Sequence, residues 1–139
     1  MKVAILGTGA LGGVIAGCLA DTEAELVCVS RGRTAEILQS GLTIFTPEGS
    51  VEMIPGDRYS VIDSESGPLN ENMCNSCDVV IIAGKADSTS ALSSIAEDIV
   101  ADGGFVVSIQ NGLGNAGIIA SRVGWRRVVG GSQPKSIFR

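Results

Sequence analysis

The chain has 139 residues, enough for one domain with its own core, and its 45% hydrophobic content and 19 glycines suit a buried parallel sheet with tight turns. A net charge of −5 argues against non-specific nucleic-acid binding, and no apolar run is long enough to span a membrane. The absence of histidine excludes Ser-His-Asp and Cys-His catalysis, and His-ligated metal sites with them.

The chain opens on Val3-Ala4-Ile5-Leu6, an apolar run that leads into Gly7-Thr8-Gly9-Ala10-Leu11-Gly12. A helical pattern follows, with Leu11, Val14, Ile15, Cys18 and Leu19 as its apolar positions. This is strand, tight turn and helix built around Gly-x-Gly-x-x-Gly. Gly7 permits the turn, Gly9 lets backbone approach a pyrophosphate, and Gly12 lets the helix lie close to the strand. The helix N-terminus adds N–H donors and a partial positive charge. Because glycines break the apolar run and no small-residue cleavage site follows, the reading is a cytoplasmic protein without a signal peptide.

Glu25-Leu26-Val27-Cys28-Val29-Ser30 is the second strand, at the distance a βαβ unit requires. A site for NAD usually carries an acid at its end, on the ribose 2′-hydroxyl. Here the residues are Ser30-Arg31-Gly32-Arg33. A guanidinium suits a phosphate dianion, so Arg31, with a hydroxyl from Ser30, argues for a 2′-phosphate and hence NADP(H).

Thr34 to Leu42 reads as a short helix capped by Thr34, with Ile37 and Leu38 inward and Gly41 at its stop. Leu42 to Thr46 and Val51 to Ile54, joined by Pro47-Glu48-Gly49-Ser50, read as a β-hairpin. Gly56 to Asn75 is polar loop with one short strand near Tyr59 to Ile62. Cys74-Asn75-Ser76-Cys77 has C-x-x-C spacing, but a structural zinc needs two more ligands. Cys18 and Cys28 are expected to face the core, so the thiols read as reduced and no metal is expected.

Asp78 to Ala83 is a buried strand, followed by Gly84-Lys85-Ala86-Asp87. Leu92, Ile95, Ala96, Ile99 and Val100 form a helical stripe, capped by Ser88 and stopped by Gly103-Gly104. Phe105 to Ile109 is a strand ending in Gln110-Asn111-Gly112. A helix over Ala116 to Val123 and a strand near Arg127 to Val129 close the pattern. The fold class is α/β, a Rossmann-type doubly wound, mainly parallel sheet with helices on both faces and a β-hairpin extension. Gly7 to Gly12, Ser30-Arg31, Lys85 and Gln110-Asn111-Gly112 then share the carboxyl edge of the sheet, where ligands bind.

Taken together, Gly7-x-Gly9-Ala10-Leu11-Gly12, Ser30-Arg31, Cys77 to Ala86, Gln110-Asn111-Gly112-Leu113-Gly114 and Val128-Val129-Gly130-Gly131 resemble the ketopantoate reductase (2-dehydropantoate 2-reductase) family. The resemblance implies NADPH-dependent reduction of 2-dehydropantoate, a small 2-keto acid, to pantoate, on the route to pantothenate. It implies that Arg31 holds the adenosine 2′-phosphate, that Lys85 stands on the cofactor side of the active site, and that Asn111 lies near nicotinamide and substrate. The cofactor-binding set is then Gly7, Thr8, Gly9, Ala10, Leu11, Gly12, Ser30, Arg31, Lys85 and Asn111. Lys85 and Asn111 support catalysis, and the general-acid lysine belongs to a helical C-terminal domain absent from these residues.

Where the family commonly has Gln three residues after the lysine, this chain has Ser88. Family members also run to roughly twice this length. Residues 1–131 are therefore expected to form the NADP-binding domain and 132–139 a tail. The alternative function is a non-catalytic NADP(H)-binding module, or a truncated product that needs another chain. An uncovered interdomain surface around the last helix would favour a homo-oligomer.

Overall fold

The structure, a computed structural model, describes residues 1–110 and 114–130. The main sheet has six strands in the order β5-β2-β1-β6-β7-β8, and every pairing is parallel. The strands are β1 (Lys2–Leu6), β2 (Glu25–Ser30), β5 (Ser60–Asp63), β6 (Cys77–Ile82), β7 (Val100–Ser108) and β8 (Val128–Gly130). The antiparallel pair β3 (Leu42–Phe45) and β4 (Val51–Ile54) forms a separate hairpin.

Alternation along the strands divides the core by face. Ala4, Leu6, Val27, Val29, Val80 and Ile82 point to one side, toward α3 (Thr89–Ile99) and α4 (Asn115–Val123). Val3, Ile5, Leu26 and Cys28 point to the other, toward α1 (Ala10–Ala20), α2 (Gly32–Gln39) and the hairpin. The doubly wound α/β architecture, its helices on both faces and its hairpin are as expected.

Several local expectations need correction. The buried face of α1 is Gly12, Gly13, Ala16, Gly17 and Ala20, while Leu11, Val14 and Cys18 are exposed. The helix lies against its neighbours through its small residues. A Cβ at Gly17 would run into Ile44 and Ile54 of the hairpin. α2 starts at Gly32 rather than at Thr34, with Arg31 in the N-cap position, and Ile37 faces outward while Leu38 is buried.

α3 ends at Ile99. Val100 already pairs with Cys77 as strand, and Gly103-Gly104 lie inside β7, where the register with β6 shifts. A Cβ at Gly104 would stand 3.0 Å from the carbonyl oxygens of Cys77, Asp78 and Ala101. Glycine there serves a close strand approach instead of a helix stop. β8 is displaced by one residue from Arg127 to Val129.

Candidate functional site

The order of the sheet reverses between β1 and β6: the chain moves outward from β1 through β2 to β5, then from β6 through β7 to β8. Loops at such a reversal part, and they leave a crevice beyond the carboxyl ends of the strands. That crevice has a volume of about 890 Å³. Its floor is Gly7, Thr8, Gly9 and Ala10, its β2 wall includes Ser30, Arg31, Arg33 and Thr34, and its β6 wall includes Gly84, Lys85 and Asp87. Three of the four strand ends singled out from sequence therefore meet in one cleft. Asn111 lies outside the described residues.

Gly7 and Gly12 do the structural work expected of them. Gly7 has φ +81, and a Cβ there would stand 2.5 Å from the Cα of Gly84. Glycine alone accepts both conditions. Gly12 is buried, with Gly7 O 2.8 Å from where its Cβ would be. At Gly9 a Cβ would meet no atom within 4 Å, so the backbone there borders open space in the cleft. Gly9 is also the N-cap of α1, and the first helical N–H groups have no acceptor within the helix. Leu11 and Gly12, named from the sequence, are not among the residues that line the cleft. At Gly9 this floor offers bare backbone beside a helix N-terminus, features that suit a pyrophosphate.

Ser30 lines the β2 wall and also ties it to the glycine turn. It is buried, and its Oγ accepts the N–H of Thr8 at 3.2 Å. Below the turn, burial pushes the Cys28 thiol up to about 11, against a hydrogen bond from Thr8 that lowers it. Arg31 and Arg33 are exposed at the cleft, and among the described residues neither joins an ion pair. Glu65 borders the same wall and Asp87 the opposite one, so the cleft holds three cations against two carboxylates in an acidic chain.

On the other wall, the turn bearing Lys85 is fixed by Gln110. This buried side chain donates from Nε2 to Gly84 O at 2.8 Å and to Lys85 O at 3.1 Å. Its Oε1 lies 3.1 Å from the Oγ1 of Thr89, which is also close to Ala86 O at 2.9 Å and Asn115 Oδ1 at 3.2 Å. In the sequence, Gln110 stands out only as part of a tripeptide. Its inward direction comes from its place at the end of a buried strand. Leu92 and Ile95, read as core stripe, also line the cleft. Ser88 takes the N-cap position of α3 without a side-chain cap; its Oγ donates to Asp87 at 3.4 Å. Cys74 is exposed, Cys77 is buried, and both are free thiols.

A doubly wound sheet, a glycine-floored crevice at its reversal point and a helix N-terminus directed there define a Rossmann-type domain. The chain matches the family model described as ketopantoate reductase PanE/ApbA over residues 3–139, and it belongs to that family. A 2-dehydropantoate 2-reductase of Pyrococcus horikoshii is 33% identical over 116 residues, which cover 83% of this chain and 34% of that protein. One from Nostoc sp. is 30% identical over 130 residues, covering 94% and 38%. The chain thus spans little more than a third of these relatives.

Among solved structures, a PanE/ApbA family ketopantoate reductase from Ralstonia eutropha JMP134 superposes with a TM-score of 0.74 at 25% identity, over 95% of this chain and 40% of that one. D-mandelate dehydrogenase with NADH and anilino(oxo)acetate shares the fold, with a TM-score of 0.78 at 19% identity and the same 95% and 40% coverage.

Proposed function

We propose that residues 1–131 form the NADP(H)-binding domain of an NADPH-dependent 2-dehydropantoate 2-reductase, with 132–139 as a tail beyond it. The observation that carries the cofactor choice is the β2 wall, where two guanidiniums border the cleft and no acid takes the usual ribose position. Arg31 would hold the 2′-phosphate, with Arg33 beside it. Gly7, Thr8, Gly9 and Ala10 would hold the pyrophosphate, with the N–H groups of Leu11 and Gly12 behind them. Ser30 would keep the glycine turn in register through Thr8. Lys85 would stand on the nicotinamide side with Asn111, whose amide both donates and accepts.

Bound in this cleft, NADPH supplies hydride to a keto carbon. The chain's own part is binding and orientation. The general acid is assigned to a lysine beyond residues 1–139, in keeping with the fraction of the relatives that this chain spans. The same reading takes the protein as cytoplasmic, with a small 2-keto acid as its partner.

The test is equilibrium titration with NADPH and NADH, followed by NADPH consumption with 2-dehydropantoate. Preferred binding of NADPH with little turnover by residues 1–139 is expected. Equal affinities would remove the role of Arg31, and turnover at an enzyme-like rate would move the proton donor into this chain. Binding without turnover in every longer form would favour a non-catalytic module.

A further inference from the structure

The turn that carries Arg31 is fastened from a different strand. Asp63 ends β5, and the parallel register sets it beside Ser30. Its Oδ1 accepts the N–H of Gly32 at 3.0 Å and of Glu65 at 2.9 Å, and its Oδ2 accepts the Ser66 hydroxyl at 3.0 Å. Ser64 N–H reaches Ser30 O at 2.9 Å, closing the same corner. Arg31 sits in the N-cap position of α2 in extended backbone, and its own side chain makes no capping bond. Gly32 comes next at φ +51, a conformation that side-chain-bearing residues rarely adopt. Asp63 therefore does for α2 what an N-cap side chain does for other helices.

We infer that Asp63 is a positioning residue for cofactor discrimination: by holding the N–H of Gly32 it sets where the Arg31 guanidinium stands at the cleft. The inference rests on the NADP(H) reading above. Two physical effects of Asp63 oppose each other, which makes the sign decisive. As a charge, the carboxylate repels a 2′-phosphate, so neutralising it would strengthen NADPH binding. As a brace, it keeps a charge-assisted contact in geometry, so removing it weakens NADPH binding and leaves NADH alone. Asparagine separates the two. Its Oδ1 still accepts both N–H groups, its charge is gone, and only the Ser66 contact loses its acceptor.

The experiment is titration of the whole chain with NADPH and with NADH, for wild type, Asp63→Ala, Asp63→Asn and Gly32→Ala, each checked by urea unfolding. Asp63→Ala is expected to lower the NADPH-to-NADH preference about fivefold or more, with NADH affinity held within about twofold. Asp63→Asn is expected to keep the wild-type preference within about twofold. Gly32→Ala, which strains the turn itself, is expected to fall with Asp63→Ala.

An unchanged or higher preference in Asp63→Ala overturns the inference, as does a preference in Asp63→Asn well above wild type. If Asp63→Ala does not fold, a full preference retained by Gly32→Ala overturns it. A wild type without preference removes the NADP(H) reading, and this inference with it. A wild-type preference that Asp63→Ala keeps removes the inference alone.

Discussion

On the β2 side of the cleft, the turn after the strand is held by Asp63, a half-buried carboxylate that serves two backbone N–H groups and a hydroxyl. On the β6 side, the corresponding turn is held by Gln110, a buried amide linked to Thr89 and through it to Asn115. Both ties reach across from a neighbouring strand to a loop that lines the cleft. They differ in what replaces them when they are lost. Water can solvate the N–H groups that Asp63 leaves, so its removal costs geometry more than stability. Gln110 is itself buried and bonds the fully buried Thr89, where water has little access, so its removal costs stability first. Where a loop must be exact but its side chains must meet solvent and ligand, this fold uses an acceptor that solvent can reach. Where the loop backs onto the core, it uses a closed polar network.

The largest expected effect comes where the floor of the cleft touches its β6 wall. Gly7→Val combines a positive φ with a clash against Gly84 and is expected to destabilise the fold by about 3 kcal/mol or more. Gly9→Val, facing open space, is expected to fold normally and lose dinucleotide binding. Urea unfolding and NADPH titration of both variants check this. Normal binding by Gly9→Val would mean that the loop is only a turn.

Arg31→Ala is expected to weaken NADPH binding by about 10- to 150-fold and NADH binding little, since a charge-assisted contact contributes about 1.5–3 kcal/mol. A loss shared equally between the cofactors would place Arg31 in the architecture of the β2 wall rather than in recognition.

Gln110→Ala is expected to cost about 1–3 kcal/mol of stability by removing a buried amide and its bonds to Gly84, Lys85 and Thr89, visible as a lower urea midpoint. Stability equal to wild type would erase the contrast with Asp63.

The smallest effect concerns the thiols, which sample both regions. Cys18 and Cys74 are exposed while Cys28 and Cys77 are buried. Burial raises both inner thiols, Cys28 to about 11. In native protein near neutral pH, a thiol reagent should modify Cys18 and Cys74 and spare the other two. Which buried thiol reacts first as urea rises shows which region opens first.

Much of the fold is legible in the residues. β2 and β4 fall where the apolar runs place them, and β1 and the glycine turn announce each other, because short-range pattern decides them. The misreadings share a cause. The start of α2 depends on Asp63, thirty-one positions away, which no local cap signal reveals. Val100 passes from helix stripe to strand with no intervening loop, and an apolar residue fits either period there. The outward turn of Leu11 and Val14 reverses the usual rule because α1 buries its smallest residues. In the candidate site, Gly7, Gly9 and Arg31 are legible as cleft-lining positions, whereas the ties made by Ser30 and Gln110 are contacts that only the folded register creates.

The contact of Gly7 with Gly84 joins the floor of the cleft to its β6 wall, backbone to backbone, with no side chain between them. Two turns so close have no rotamers to freeze and little room to drift apart. On the function proposed above, a dinucleotide laid across them would meet a surface whose disorder was already removed when the chain folded. Less conformational entropy is then lost on association, and more of each contact is left to appear as affinity.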